Sequence, residues 1–266
     1  MEFLSEPQKR VAPRKLIVVP AYNEAARLDL AAFAGAISAE PGLEVIFVND
    51  GSTDDTAGLL DAFVEGHGPQ ARVLHLAENQ GKAESVRQGL LRALESITND
   101  ETSREDDWVG YWDADLAAPL NQIHDLIDHG LQVGADAVIG SRTRLLGRDI
   151  RRSRLRHFVG RVFATVASVY LGVRIYDTQC GAKVFRAGAS IRNAVAQPFR
   201  SRWIFDVELI ERLLSDGATI VEFPLHAWSA VADSRLGASA YFLALRDGVR
   251  LVRRRKPRRD KLNTGP

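Results

Sequence analysis

Tyr111-Trp112-Asp113-Ala114-Asp115-Leu116 is the stretch of this 266-residue sequence from which the prediction of its fold starts. Residues 108–112 form an apolar run typical of a buried strand, and two carboxylates follow it, separated by one residue. Ligands of open α/β sheets bind beyond the carboxyl ends of the strands, where carboxylates suit Mg²⁺ or Mn²⁺ together with nucleotide phosphates. A pair of solvated aspartates in a turn gives the same pattern, so the prediction needs support from the other strand ends.

Short apolar runs and helical patterns alternate on both sides of this stretch. Further strands are predicted at residues 16–19, 43–48, 72–76, 137–141 and 219–223. Helices are predicted from residue 25, from residue 82 to about residue 97, over residues 158–176 and from residue 205. This alternation predicts an α/β fold with a mostly parallel central sheet flanked by helices. The polar side chains that the predicted strand ends bring to one rim are Tyr22, Glu24, Asp50, Asp113 and Asp115.

The composition is that of an ordinary globular domain, with 45% hydrophobic residues, 26% charged residues and a net charge of +1. Its one cysteine, Cys180, cannot form an internal disulfide, as expected in a reducing compartment. No apolar run reaches the roughly 18 residues that a membrane span needs, so a cytoplasmic protein, at most peripheral on the membrane, is expected. The sequence has neither a Gly-X-Gly-X-X-Gly fingerprint after the first strand nor a Gly-Lys-Ser/Thr loop, which argues against a dinucleotide-binding fold and a P-loop.

Six motifs resemble those of known enzymes. Val18-Val19-Pro20-Ala21-Tyr22-Asn23-Glu24, Val48-Asn49-Asp50-Gly51-Ser52-Thr53-Asp54 and Asp113-Ala114-Asp115 together resemble the family-2 glycosyltransferases, which have a GT-A fold. Gly140-Ser141-Arg142, Asp177-Thr178-Gln179-Cys180-Gly181-Ala182-Lys183-Val184-Phe185 and Arg202-Trp203-Ile204-Phe205-Asp206-Val207-Glu208-Leu209 resemble the dolichyl-phosphate glucosyltransferase branch. The dolichyl-phosphate mannose synthases share the earlier motifs.

This resemblance covers residues 14–252 and, together with the apolar and charged patterns of the sequence, predicts a division of the chain. Residues 1–14 are expected to be a flexible N-terminus and residues 15–235 the GT-A catalytic domain. Residues 236–256 are expected to form an amphipathic helix on the membrane surface, followed by a basic disordered tail at residues 257–266. An apolar stripe with a polybasic end is typical of helices that bind anionic membranes.

The resemblance also implies a donor site and a metal site. The residues that would hold the base and ribose of a sugar nucleotide are Pro20, Tyr22, Glu24 and Asp50. Lys82 would face the nucleotide or its phosphates, and Arg235 would reach the diphosphate when a covering loop closes. Asp113 would contact the ribose or the metal, and Asp115 would be the principal ligand of Mg²⁺ or Mn²⁺.

One position departs from the mannose synthase pattern. Those enzymes carry a glutamine two positions after the second aspartate, where this chain has Ala117. A metal ligand is then missing or replaced by water, which Mg²⁺ tolerates. The departure weakens the mannose synthase analogy and leaves the glucosyltransferase analogy intact.

Arginines crowd the segment after residue 141, and guanidinium groups bind phosphate oxygens in pairs. In the resembling enzymes, arginines matching Arg142, Arg152 and Arg156 face a lipid phosphate. RNA is the competing ligand, but no stacking aromatics are interleaved with these arginines, so no nucleic-acid partner is expected. The predicted helix at residues 158–176 is either a core helix or part of the membrane edge.

The expected reaction is an inverting transfer of a hexose from a nucleotide sugar to a polyprenyl or dolichyl phosphate at the cytoplasmic membrane face. UDP-glucose is the favoured donor, so glucose is the favoured sugar, and GDP-mannose with mannose is the alternative. An ionised phosphate needs no strong general base. Asp206 has three possible roles: it would hydrogen-bond the sugar, orient a loop or act as a base. Two rival interpretations are transfer to a soluble or glycan hydroxyl, with Asp206 or Glu208 as base, and a non-catalytic peripheral protein that binds nucleotide sugars. The sequence gives no prediction of oligomeric state.

Overall fold

A computed structural model describes residues 13–98, 106–151, 154–202 and 204–229 of the chain. Its strands are β1 (Lys15–Ala21), β2 (Leu43–Asp50), β3 (Ala71–Leu76), β4 (Trp108–Trp112), β5 (Ala137–Ser141), β6 (Asp149–Arg151), β7 (Ala182–Arg186), β8 (Ile220–Pro224) and β9 (Ala227–Ser229). Its α-helices are α1 (Leu30–Ala39), α2 (Thr56–His67), α3 (Lys82–Thr98), α4 (Gln122–Val133), α5 (Arg154–Leu171), α6 (Ala189–Val195) and α7 (Phe205–Ser215). The expected helix and tail at residues 236–266 lie outside the described residues.

Seven of the strands form a central sheet in the order β3-β2-β1-β4-β7-β5-β8, and β6 pairs with β9 in a small second sheet. Within the central sheet only β7 is antiparallel, to both of its neighbours, β4 and β5. Since β4 and β5 both oppose β7, they run parallel to each other. The carboxyl ends of β1, β2, β4 and β5 therefore share one edge of the sheet, as the sequence predicted.

Apolar side chains cover both faces of this sheet. Along β1 they alternate, because Ile17 and Val19 join the core on one face while Leu16 and Val18 join the core on the other. Helix α3 packs very close to the sheet at Gly89, where an added Cβ would lie 2.2 Å from Val18 Cγ1. This close packing fixes the position of Lys82 at the start of the same helix.

Two predicted helix boundaries were wrong. Helix α1 begins at Leu30 rather than at residue 25, because the Glu24 carbonyl closes a turn with the amides of Arg27 (2.8 Å) and Leu28 (2.9 Å). The Asp29 carboxylate then caps the helix by accepting from Ala32 N at 3.0 Å. Helix α5 covers Arg154–Leu171 rather than residues 158–176, and Gly172 (φ +72°) follows its last residue.

Helix α5 is a core helix on one face. Its residues Ala167, Tyr170 and Leu171 are buried in a cluster with Val207 and Ile210 of α7. In the part of the chain that the structure describes, no helix is both long and apolar enough to cross a membrane.

Candidate active site

Asp113 and Asp115 lie just past the end of β4, at the shared edge of the sheet. Asp115 Oδ1 accepts from the amide of Ala117 at 3.1 Å, and the Asp113 amide donates to the carbonyl of Gly181 at 3.0 Å. Leu116 has a φ of +49°, a left-handed conformation that few residues adopt, so the turn is tightly constrained. Burial and the negative charge of Asp113 raise the pKa of Asp115 above its ordinary value.

This pair of carboxylates fits a divalent cation. Two like charges held side by side repel each other, and hard cations such as Mg²⁺ take carboxylate oxygens as ligands. Among the described residues, no group of three or more His, Cys, Asp or Glu side chains could hold a metal. A cation at Asp113 and Asp115 would therefore need further oxygen ligands, from water or from a bound substrate.

Lys82 reaches this site from the first turn of α3 and forms an ion pair with Asp113. The loop before α3 is held by Asp50, whose carboxylate accepts from the amides of Gln80 (2.8 Å) and Gly81 (2.9 Å). Asp50 is buried, so its clearest role in the structure is to set the position of Lys82. The direct contact with a nucleotide base that the resemblance implies for Asp50 stays a prediction.

The loops after β1 and β2 are joined by side-chain hydrogen bonds. The backbone N–H of Asn23 donates to Ser52 Oγ at 2.9 Å, and the backbone N–H of Glu24 donates to Thr56 Oγ1 at 2.8 Å. Asn23 has a φ of +51°, and its side-chain carbonyl accepts from Thr53 N at 2.7 Å. The structure thus brings the loop of Pro20, Tyr22 and Glu24 to the same rim as Asp50, as predicted.

Arg142 follows β5 at this rim, but it is bound to another residue. Its guanidinium donates to both carboxylate oxygens of Asp177, from Nε at 2.6 Å and from a terminal nitrogen at 2.7 Å, and lies 5.3 Å from the ring centroid of Trp228. A lipid phosphate at Arg142 would have to share or replace Asp177, a partner that no local pattern of residues indicated. Arg152 and Arg235 lie outside the described residues, and only the helical backbone of Arg156 is described.

Asp206, in the first turn of α7, is buried in a network of ionisable groups. Lys183 Nζ donates to Asp206 Oδ1 at 2.7 Å, to Tyr111 Oη at 2.8 Å and to the Cys180 carbonyl at 2.5 Å, and Tyr111 also donates to Asp206. Glu208 is also buried, and it accepts from the amide of Arg200 and from the guanidinium of Arg212, both at 2.8 Å. Of the three roles predicted for Asp206, this network favours the orientation of a loop.

That loop, residues 177–181, lies behind Asp113, since the Gly181 carbonyl accepts from the Asp113 amide. Its first residue, Asp177, is held by Arg142 and by the hydrogen bond that its backbone amide donates to the Glu222 carboxylate (2.8 Å). The carbonyls of Cys180 and Gly181 at its end accept from Lys183 Nζ and from the Asp113 amide. Burial, followed by the charge of Asp177, raises the pKa of the Cys180 thiol to about 12. Gly181 and Lys183 belong to a motif of the family resemblance, but no role was predicted for either residue. A lysine among apolar strand residues was the signal that could have shown the role of Lys183.

Gly181 is expected to be essential for the position of Asp113. A Cβ at residue 181 would lie 1.9 Å from Asp113 Oδ2, closer than any real contact allows. Gly181→Ala must therefore displace the Asp113 carboxylate, and we expect turnover to fall by roughly a hundredfold, since displacements of about 1 Å have effects of that size. Initial rates and thermal unfolding of the purified variant would check this. Gly188→Ala is the control, because nothing lies within 4 Å of a Cβ at residue 188. Activity of Gly181→Ala equal to that of the control would contradict the packing argument.

Known proteins resemble this chain in sequence over most of its length. The sequence model of the family described as glycosyl transferase family 2 matches residues 16–192 of this chain. The chain is 32% identical over 251 residues to dolichyl-phosphate beta-glucosyltransferase ALG5C of Trichomonas vaginalis, in a match that covers 88% of this chain and 69% of the relative. It is 28% identical over 260 residues to dolichyl-phosphate beta-glucosyltransferase of Saccharomyces cerevisiae, covering 89% and 73% of the two chains.

A solved structure shows the same fold. Glucosyl-3-phosphoglycerate synthase from Mycobacterium tuberculosis, in complex with Mn²⁺, UDP and glucosyl-3-phosphoglycerate, superposes with a TM-score of 0.56 at 21% identity. The match covers 89% of this chain and 80% of that chain. The GT-A fold expected from the resemblance is confirmed, and the family match extends over most of the described sheet. The chain belongs to glycosyl transferase family 2.

Proposed function

We propose that this glycosyltransferase transfers a hexose from a nucleotide sugar to a polyprenyl phosphate, with UDP-glucose as the favoured donor and glucose as the favoured sugar. The observation that carries this proposal is the state of the two candidate bases, Asp206 and Glu208, which are both buried and ion-paired. A hydroxyl acceptor needs a base to remove its proton, whereas a phosphate is already ionised at neutral pH. The similarity to dolichyl-phosphate glucosyltransferases over most of the chain supports the same choice of acceptor.

Asp113 and Asp115 would hold Mg²⁺ or Mn²⁺. When bound, the ion acts as a Lewis acid that stabilises charge on the nucleoside diphosphate leaving group. Lys82 is positioned to add a second positive charge on the same side, because its ammonium pairs with Asp113 while its side chain is partly exposed at the rim. The acceptor phosphate then attacks the anomeric carbon from the opposite face, which inverts its configuration.

Arg142 is proposed to position the acceptor phosphate. Its side chain is mostly buried against Asp177 and Trp228, so its charge is held at the rim rather than in solvent. The acceptor phosphate would share this guanidinium with Asp177 or replace Asp177 on it, and the positive charge would then reduce the repulsion between the acceptor phosphate and the donor diphosphate. Arg152 and Arg156 are proposed to assist it. Because the acceptor is a lipid, the enzyme is proposed to work as a peripheral protein on the cytoplasmic face of a membrane.

Metal binding is expected to stabilise the folded protein. Mn²⁺ at 100 times its dissociation constant should add about 2.7 kcal/mol to the free energy of unfolding, because the ion binds only the folded carboxylate pair. Thermal unfolding with and without Mn²⁺ measures this effect, and chelation should reverse it. The control is Asp128→Asn, which removes an exposed carboxylate of α4 away from the pair. If the midpoint does not move even when UDP is added with the ion, Asp113 and Asp115 do not form a metal site.

Label transfer tests the reaction itself. Purified protein, polyprenyl phosphate and Mg²⁺ or Mn²⁺ are incubated with labelled UDP-glucose or, separately, with labelled GDP-mannose, and the label in an organic extract is counted. We expect metal-dependent transfer from UDP-glucose. Transfer from GDP-mannose instead would change the sugar and keep the reaction class. Nucleotide binding without transfer from either donor would reject the proposed function and favour a binding protein.

A further inference from the structure

The β5–β6 loop, residues 142–148, leaves the sheet at the edge that carries the metal site. Strand β5 ends at Ser141 and runs parallel to β4, whose end carries Asp113 and Asp115. The loop therefore begins beside the site and projects from the same edge. Arg142, the first residue of the loop, is held at the rim by its ion pair with Asp177. The residues that follow it extend away from the sheet.

Two adjacent leucines lie at the tip of this loop. The side chain of Leu146 is fully exposed and that of Leu145 is 48% exposed, and Gly147 turns the chain back with a φ of +80°. Single exposed apolar side chains are common on protein surfaces, but two neighbours that both leave the core need another explanation. Leu145 and Leu146 belong to none of the apolar clusters formed by the described residues, so packing of the described core does not account for their apolar character.

The leucines are surrounded by positive charge. Arg144 precedes them, and Arg148 and Arg151 follow them, whereas the only acidic residue between positions 142 and 151 is Asp149. Asp149 is paired with Arg151, with distances of 2.9 and 3.0 Å between their charged groups. Apolar side chains at a tip with arginines at its base match the layers of an anionic membrane, which is apolar inside and negatively charged at its surface.

We propose that the β5–β6 loop inserts Leu145 and Leu146 into an anionic lipid bilayer while Arg144 and Arg148 contact the head groups. This inference rests on the proposed function, because only a lipid acceptor gives the active site a reason to face a membrane. Insertion at this point places the rim of Asp115 and Arg142 at head-group level, where the phosphate of a polyprenyl phosphate lies. The acceptor then reaches the site without leaving the bilayer.

The test compares L145S/L146S with a matched control, L131S/V133S. Leu131 and Val133 are 39% and 49% exposed at the end of α4, which leads into the opposite end of β5 and so to the opposite edge of the sheet. Sedimentation with vesicles of phosphatidylglycerol and phosphatidylcholine measures membrane binding. We expect L145S/L146S to bind at least about tenfold more weakly, since two apolar side chains no longer enter the bilayer, and the control to bind like the wild type. R144Q/R148Q should lose the preference for phosphatidylglycerol over pure phosphatidylcholine vesicles.

Activity separates this inference from the proposed function. L145S/L146S should lose about tenfold in glucosyl transfer to polyprenyl phosphate in vesicles and keep wild-type transfer to a short, water-soluble prenyl phosphate. Equal losses on both acceptors, or unchanged vesicle binding, would overturn the inference while leaving the reaction class intact. Self-association of the wild type that is lost in L145S/L146S, without any binding to vesicles, would assign the loop to a second copy of the chain and also overturn it. If the wild type transfers sugar to neither acceptor, the proposed function fails, and vesicle binding still tests the loop.

Discussion

Replacing Asp115 with asparagine is expected to lower turnover by roughly a thousandfold while leaving the fold intact. Asparagine has the same shape, and its side-chain oxygen can still accept from Ala117 N, so the turn after β4 should persist. The variant loses only the negative charge, and that charge is what a divalent cation requires beside Asp113. Without the ion, charge on the leaving diphosphate is no longer neutralised, an effect worth several kcal/mol in the barrier.

Three measurements together check this expectation. Initial rates of label transfer give the loss of turnover, thermal unfolding without metal reports the fold, and the Mn²⁺-induced rise in the midpoint should disappear. Asp128→Asn makes the same chemical change at an exposed position of α4 and should leave all three measurements at wild-type values. A variant Asp115→Asn that keeps rates within a few-fold of wild type would show that Asp115 is not the principal metal ligand.

The parallel strands and their shared rim could be predicted because the signals for them are local. Apolar runs of four to six residues with a polar residue at the end mark β1, β2 and β4, and in a parallel sheet the ends of such strands meet. Strand β7 could not be predicted in this way, since Lys183 interrupts its apolar pattern. That lysine is buried only because Tyr111 and Asp206, 72 and 23 residues away in the sequence, converge on it.

The contacts of individual site residues were harder to predict for the same reason. The residue type of Arg142 suggested a phosphate ligand, but its partner Asp177 lies 35 residues away in the sequence. The predicted contact of Asp50 with a nucleotide base stays a prediction, and no local pattern indicated that its oxygens accept from two backbone amides, which only the folded loop brings within reach. Residue type thus predicted which side chains lie at the rim. Contacts between distant parts of the chain determine which of their charges are paired.

Lys183→Met is expected to lower the free energy of unfolding by about 3–5 kcal/mol, because it leaves the Asp206 carboxylate buried without its cation. The lysine side chain is completely buried, and methionine fills a similar volume, so the lost charge rather than a cavity dominates the effect. Urea denaturation of the variant and the wild type measures the difference. Lys183→Met/Asp206→Leu should recover most of the loss, since replacing both members of a buried ion pair by apolar groups is often neutral.

The same variant also tests whether the network supports the active site. Without Lys183, the Cys180 carbonyl loses its hydrogen bond of 2.5 Å, and the loop that ends at Gly181 is no longer anchored behind Asp113. Turnover of the folded fraction should therefore fall in Lys183→Met and stay low in the double variant even where stability returns. The Cys180 thiol should become reactive toward a disulfide reagent at neutral pH, because loosening the loop removes the burial that keeps its pKa near 12. Normal turnover and an unreactive thiol in the double variant would limit the role of Lys183 to fold stability, and a single variant as stable as the wild type would refute the ion-pair argument altogether.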